Sequence, residues 1–265
     1  MFYRALINSN LFIRLVFMIL VSSLFLSGCA VTEQSKSTDS MQSDLALLKK
    51  QVSTLTQNQT IIAQKIGLAQ PHLNVGESAS LGDENAPVIL VEFTDLRCPF
   101  CKRFNSETFP TLMDKYISTG KMRFIGKHLP ITSLHPSAFI ASQLLECSRE
   151  QTSDAIGYEK AKTWIFSQKK GISNAELDSF SIAQNVDKTA LEACMNGSDV
   201  TAKIREDMLM AKQLGLNSTP SFVIGLQKEG VVTDWKIIKG AKTIDQFSQA
   251  IDQFVTLAAN KPNVE

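Results

Sequence analysis

Residues 88–93 read V-I-L-V-E-F, a short β-branched and apolar run preceded by turn formers, which predicts a strand buried on both faces. Beyond Cys98-Pro-Phe-Cys101 the apolar positions switch to helical spacing, with Phe104, Phe109, Leu112, Met113 and Tyr116 defining a helix over 102–116. Gly120 breaks that pattern, and Met122-Arg-Phe-Ile-Gly-Lys-His128 reads as a second strand. Strand, helix, strand in this order favours a parallel pair joined by a right-handed crossover. From 135 to 215 the spacing is helical: Pro136 suits a first turn, Ser173-Asn-Ala-Glu176 is a capping box, Asp187 caps a stretch ending at Gly197, and Gly215 closes a run containing Ile204, Met208, Leu209 and Ala211. Strand patterns return at 221–224 and 234–238 around a polar turn at 227–230. Thr243-Ile-Asp-Gln246 then opens a helix with Ile244, Phe247, Ile251, Phe254 and Val255 on one face.

Ahead of this unit the pattern differs. Arg4 and Arg14 precede an uncharged apolar run at 15–26 that is too short for a comfortable membrane span of roughly 20 residues and fits the core of a signal peptide. Residues 31–43 are rich in Ser, Thr, Gln and Asp, with little to bury, and read as a solvated tether. Next, Leu45, Val52, Gln59 and Ile66 at a, and Met41, Leu48, Leu55 and Ile62 at d, form a heptad stripe ended by Gly67 and Pro71. A helix of this length spans about 39 Å and has no sequence neighbour against which to bury its stripe, so self-association is the natural solution. Packing on the chain's own domain is the alternative. Gln59 at a core position costs stability but helps to fix register. The organisation is a leader at 1–28, a tether at 29–40, a coiled-coil helix at 41–67 and an α/β domain at 76–260 with its insertion at about 135–215.

Composition adds little to this. The 265 residues carry a formal charge of +1, which gives no electrostatic argument for nucleic acid as a partner.

The chemistry sits at the joint between the first strand and its helix. A helix N-terminus stabilises an anion through its free N–H groups and macrodipole, so Cys98 there becomes a thiolate near neutral pH and acts as the nucleophile. Pro99 fits the first helical turn because its missing N–H would have been unpaired anyway. Arg97, Lys102 and Arg103 add positive charge nearby. Cys101, a turn further in and more shielded, is the resolving thiol. Cys-x-x-C is also half of a zinc site, but zinc needs four ligands and no second closely spaced pair accompanies His128 and His135. No metal or organic cofactor is required for redox exchange.

Four motifs together resemble one family. Val91-Glu-Phe-Thr-Asp95 lies before Cys98-Pro-Phe-Cys101; Gly126-Lys-His-Leu-Pro130 and His135-Pro136 with Ala138 follow; Gly215-Leu-Asn-Ser-Thr219-Pro220-Ser-Phe-Val-Ile224 comes last. From about 76 to 258 the chain resembles the DsbA-like branch of the thioredoxin superfamily, a thioredoxin fold with a helical insertion between its halves. The resemblance implies that Pro220 is the cis-proline against the thiols and that the Thr219 backbone can pair with an extended substrate. It also implies that Glu92, a strand carboxylate, passes protons to and from the inner thiol, with a lysine of the neighbouring strand, Lys127, beside it. His128 and His135 are read as structural. The Leu26-Ser-Gly-Cys29 ending of the leader resembles a bacterial lipobox, with Cys29 acylated, and Ala30 after it resembles lipoproteins sorted to an outer membrane. The alternative for this leader is an uncleaved signal anchor with an incidental Cys.

Setting aside Cys29 and the redox pair leaves Cys147 and Cys194, which in an oxidising compartment pair with each other or else remain as buried thiols. The reading is an envelope thiol-disulfide oxidoreductase, lipid-anchored and facing the periplasm, that acts on exported proteins, is reset by a membrane redox partner and forms a homo-oligomer through 41–66. Oxidation leads, because a neutral Pro-Phe pair between the cysteines suits an oxidant. Thr219 before the proline and a self-associating stalk instead suit an isomerase or reductase. A copper-handling protein using Cys98 and Cys101 as soft ligands, and a scaffold with idle thiols, are the readings from other classes.

Overall fold

The computed structural model describes residues 73–260 except 77, 153, 154, 170 and 229, and, earlier in the chain, residues 41–59 except 43, 56 and 57. The leader, Cys29, the tether up to residue 40, and the heptad positions Ile62 and Ile66 lie outside the described residues. The chain divides into two compact units, 1–62 and 63–265. In the first, the described residues are helical, and Met41, Leu45, Leu48, Val52 and Leu55 are all more than half exposed, so the apolar stripe faces solvent.

The second unit is built on one six-stranded sheet. Its strands are β1 (Leu73–Asn74), β2 (Ser80–Leu81), β3 (Val88–Thr94), β4 (Met122–His128), β5 (Ser221–Lys228) and β6 (Val231–Lys239), in the order β1-β6-β5-β3-β4-β2. The β-branched run of β3 is buried along its whole length because it is central, parallel to β4 and antiparallel to β5. Two-residue β1 and β2 cover part of the sheet's edges. They carry too few residues to show a periodicity, and β1 places the start of the unit ahead of the Gly76 boundary read from turn residues. A register shift between Ile224 and Leu226 marks a bulge at Gly225, where an added Cβ would lie 2.7 Å from Val232 and 2.8 Å from the Thr233 carbonyl; only glycine fits.

The crossover from β3 to β4 is α1, made of four contiguous segments: Pro99–Arg103 and Phe109–Leu112 in α geometry, Phe104–Thr108 and Met113–Ile117 in π geometry. The π turns flank the piece containing Pro110, which has no N–H to give to the helical ladder. The insertion comprises α2 (Ala138–Gln151), α3 (Ala155–Ser167), α4 (Asn174–Gln184), α5 (Lys188–Met195) and α6 (Ser198–Gln213), and α7 (Ile244–Asn260) follows β6. Ser173 and Glu176 close a capping box on α4, and Asp187 caps α5 by accepting from Ala190 N at 2.7 Å. Pro136 lies two residues ahead of α2 rather than in its first turn.

Alternation along β3 sorts the core. Val88 and Leu90, with Phe124, Phe222 and Ile224, pack against Phe104 and Phe109 of α1 and Phe247, Ile251 and Phe254 of α7. Ile89, Val91 and Phe93 pack on the opposite face with Ala211 of α6 and the following Leu214 and Leu216. A third cluster fills the insertion and reaches Leu96, Cys98 and Cys101. Cys147 of α2 and Cys194 of α5 are disulfide-bonded with Cα atoms 5.8 Å apart, closing a separation of 47 residues. In the chain-entropy account a loop of that size stabilises by about 4 kcal/mol.

One buried carboxylate ties the insertion to the sheet. Asp207 of α6 pairs with Lys127 of β4 at 2.8 Å and with Lys203 at 3.0 Å, and accepts the His128 backbone N–H at 3.1 Å. Lys127 and Asp207 are 3% and 1% exposed, so neither can turn to water if its partner is lost. Asp207→Ala leaves Lys127 charged and unpaired in the core and lowers stability by about 3–5 kcal/mol, measured by urea unfolding.

Candidate active site

Cys98 is the N-cap residue of α1, with φ −76° and ψ 124°, and Pro99 follows in the first turn. The Phe100 and Cys101 backbone N–H groups donate to its sulfur, as free first-turn donors should. Cys98 is 5% exposed and Cys101 fully buried. The two sulfurs hold opposite charge preferences. A hydrogen bond from the Cys101 thiol is the largest influence on Cys98; it outweighs burial, and with the Thr219 hydroxyl and the helix N–H groups it brings the Cys98 pKa down to about 5. Burial pushes the Cys101 thiol well up, helped by the same hydrogen bond and by the Glu92 and Cys98 charges.

Asp95 sets the loop that carries these thiols. Its carbonyl accepts the Cys98 N–H at 3.0 Å, and its own N–H points at the Cys101 sulfur at 3.5 Å. Its buried carboxylate accepts from Arg97 N at 2.8 Å, Ile131 N at 2.8 Å and His135 Nδ1 at 2.9 Å. His135 thus pins the loop after β4 against the loop before α1. His128 Nε2 lies 3.2 Å from Glu146, which also pairs with Arg149. Burial works against the Glu146 charge, but His128 and Arg149 prevail and hold its pKa at about 2.

The Thr219–Pro220 peptide is cis, and the Thr219 carbonyl lies 3.5 Å from the Cys98 sulfur. Ser221 Oγ donates to the Ser218 carbonyl at 2.7 Å, and Gly240 N donates to the Pro220 carbonyl at 2.8 Å, so both sides of this turn are tied down. Around the mouth, Arg97 donates to the Gln168 carbonyl of the insertion at 3.1 Å. Phe100 stands 53% exposed, with the Arg103 guanidinium 5.3 Å from its ring centre.

Glu92 is completely buried, but the lysine beside it is not Lys127. Register pairs Glu92 with Gly126 and Lys127 with Phe93, and neighbouring residues of a strand point to opposite faces, so Lys127 emerges on the α6 side. The counter-ion of Glu92 is Lys162 of α3, at 2.8 Å and also fully buried. No signal in the sequence pattern warns of this: an interior lysine in α3 looks like any surface lysine until the helix is placed. Asp95 was visible only as part of a motif. Among the described residues, no three His, Cys, Asp or Glu side chains are grouped so as to hold a metal ion.

A thioredoxin sheet with a Cys-x-x-C helix facing a cis-proline turn defines the class, and comparison with known proteins agrees. A family model described as Thioredoxin matches residues 74–253, and the chain belongs to that family, in its DsbA-like branch. The crystal structure of Wolbachia pipientis alpha-DsbA1 is 26% identical, with a TM-score of 0.61, covering 71% of this chain and 95% of that one. A Rickettsia prowazekii protein provisionally named a protein-disulfide oxidoreductase is 27% identical over 179 residues, 65% of this chain and 60% of its own length. A Salinispora tropica Na(+)/H(+) antiporter is 22% identical over 143 residues, 54% of this chain; the chain spans about a fifth of that relative's length.

Alkylation of reduced protein checks the electrostatics. Cys98 reactivity rises with half-maximum at pH about 5 and is flat above neutral, while Cys101 stays unreactive across that range. Thr219→Val, which removes the donating hydroxyl, moves the Cys98 midpoint upward.

Proposed function

We propose that this protein is a thiol:disulfide oxidoreductase of the bacterial cell envelope that forms disulfides in exported proteins. The observation that carries the reading is the pairing of a Cys98 sulfur with pKa about 5 and a buried, hard-to-ionise Cys101. A stabilised thiolate favours the reduced enzyme, which makes its disulfide oxidising and makes Cys98 a good leaving group from a mixed disulfide. A substrate thiolate attacks Cys98 and the Cys98–Cys101 bond opens. A second substrate thiolate then displaces Cys98, so the substrate leaves with the disulfide and the enzyme leaves with two thiols. A membrane redox partner restores the Cys98–Cys101 bond. Pro220 and the Thr219 backbone line the face where an extended substrate lies against Cys98, and Glu92 serves the protonation of Cys101.

Acylated Cys29 anchors the chain at the membrane, facing the periplasm, with the outer membrane favoured by Ala30. Among the described residues no helix is long and apolar enough to cross a membrane. The exposed stripe at Met41, Leu45, Leu48, Val52 and Leu55 supports homo-oligomerisation through 41–66, and it is also the observation that favours an oligomeric isomerase as the second reading.

The reduction potential of the Cys98–Cys101 pair against glutathione separates the two: a value near about −120 mV supports disulfide donation, and one toward about −200 mV or below supports isomerase or reductase action. Cys98→Ser abolishes substrate oxidation. In sedimentation, Leu48→Glu with Leu55→Glu converts the oligomer to a monomer, and a wild-type chain that is itself monomeric removes the oligomer from the reading. Cys29→Ser loses both the lipid label and membrane retention.

A further inference from the structure

Cys101 has no exposed surface, yet it must take up a proton each time the Cys98–Cys101 bond opens and give one up each time it closes. Beyond Cys98, the Glu92 charge acts on the Cys101 thiol and Cys101 acts in turn on Lys162, and these two groups begin a short file. Glu92 Oε2 lies 2.8 Å from Lys162 Nζ, and Lys162 Nζ lies 3.6 Å from Glu159 Oε1. Glu92 and Lys162 are fully buried, whereas the Glu159 side chain is 13% exposed, so the file runs from the thiol toward solvent. Its outer two members both belong to α3, one helical turn apart.

The surroundings suit proton movement along this file. The Lys162 ammonium is held 5.2 Å from the Phe124 ring centre and 5.3 Å from that of Phe109, which leaves the carboxylates as its charged partners. Glu92 Oε1 is buried without a hydrogen-bond partner among the described residues, leaving it free to accept a proton. The Tyr158 hydroxyl stands on the same side of the sheet: a Cβ at Gly126, the register partner of Glu92, would meet it at 2.9 Å.

We propose that Glu92, Lys162 and Glu159 carry the proton of Cys101 between the buried thiol and solvent, so that the route leaves the molecule through the helical insertion. This rests on the oxidoreductase reading. When a substrate thiolate attacks Cys98, the Cys98–Cys101 bond breaks and its electron pair stays on Cys101. A proton crosses from Lys162 to the Glu92 carboxylate and on to the Cys101 sulfur. Lys162 is recharged by the Glu159 carboxyl, which refills from solvent, and closing the disulfide runs the sequence backward. Burial keeps Glu159 protonated to higher pH than an ordinary glutamate, with the Glu92 charge adding to this against the opposing pull of Lys162. For Lys162, burial opposes the charge, but Glu159 and Glu92 prevail and raise its pKa. Both shifts keep protons stored beside a thiol that itself holds its proton tightly.

Lys162→Met leaves two carboxylates buried without a counter-ion and can unfold the protein, so the test uses Glu159→Gln, which keeps the Lys162–Glu92 pair, with Glu159→Asp as the conservative variant. Oxidised full-length protein is mixed with dithiothreitol, and opening of the Cys98–Cys101 bond is followed by acid quench and mass spectrometry in H2O and D2O. Glu159→Gln slows opening about tenfold, a modest loss for a general acid, and enlarges the solvent isotope effect, while Glu159→Asp restores most of the rate. Wild-type rate and isotope effect in Glu159→Gln overturn the proposal. So does slower opening with an unchanged isotope effect, which makes Glu159 only a fixed charge. A wild-type protein whose disulfide opens but oxidises no substrate protein overturns the oxidoreductase reading instead.

Discussion

Everything at the catalytic end of this molecule follows from one constraint: two sulfur atoms a single helical turn apart are held to opposite states of protonation. The outer sulfur sits where α1 offers unpaired N–H groups, and the inner one sits where no water reaches. Neither condition is sufficient alone, because the inner thiol is also the strongest single stabiliser of the outer thiolate. The geometry therefore has to be tight, which explains the concentration of hydrogen bonds on Asp95. With both backbone groups and both carboxylate oxygens committed, this residue fixes the loop before α1 at its two ends and against the chain after β4.

Much of this was legible in the chain. The run at 88–93, the thiol pair at its end and the helical spacing beyond it carry the position of Cys98 at a helix N-terminus, its lowered pKa and the parallel crossover. The reasons are local: strand burial, helix capping and the free N–H groups of a first turn are all properties of contiguous residues. Lys162 was invisible for the opposite reason. Its interior position is created by the docking of α3, and sequence spacing says nothing about where a helix of an insertion lands. Expecting Lys127 in that place followed from assuming the partner to lie on the adjacent strand. The one-residue offset in register, Gly126 rather than Lys127 opposite Glu92, sends the lysine to the other face of the sheet. The two-residue edge strands were missed because a pattern of period two needs more than two positions to show itself.

The insertion is joined to the thioredoxin sheet by charge on both faces as well as by apolar packing. On the α1 face, Lys162 meets Glu92; on the α6 face, Asp207 meets Lys127. Buried ion pairs contribute little net stability compared with apolar substitutes of the same shape, but each is costly to break from one side. Such contacts act as fasteners with a single correct seating, and here that seating aligns the insertion with the residue beside the inner thiol.

The consequence reaches to how such an architecture can be trimmed. A chain cut back to the bare sheet with α1 and α7 would retain Glu92 and Lys127 in its interior, on opposite faces, each facing the space from which its countercharge had been removed. The sheet strands of this protein are thus no longer those of a free-standing small thioredoxin: they presuppose the helices inserted between their two halves, and the insertion could be lost only together with compensating changes in β3 and β4.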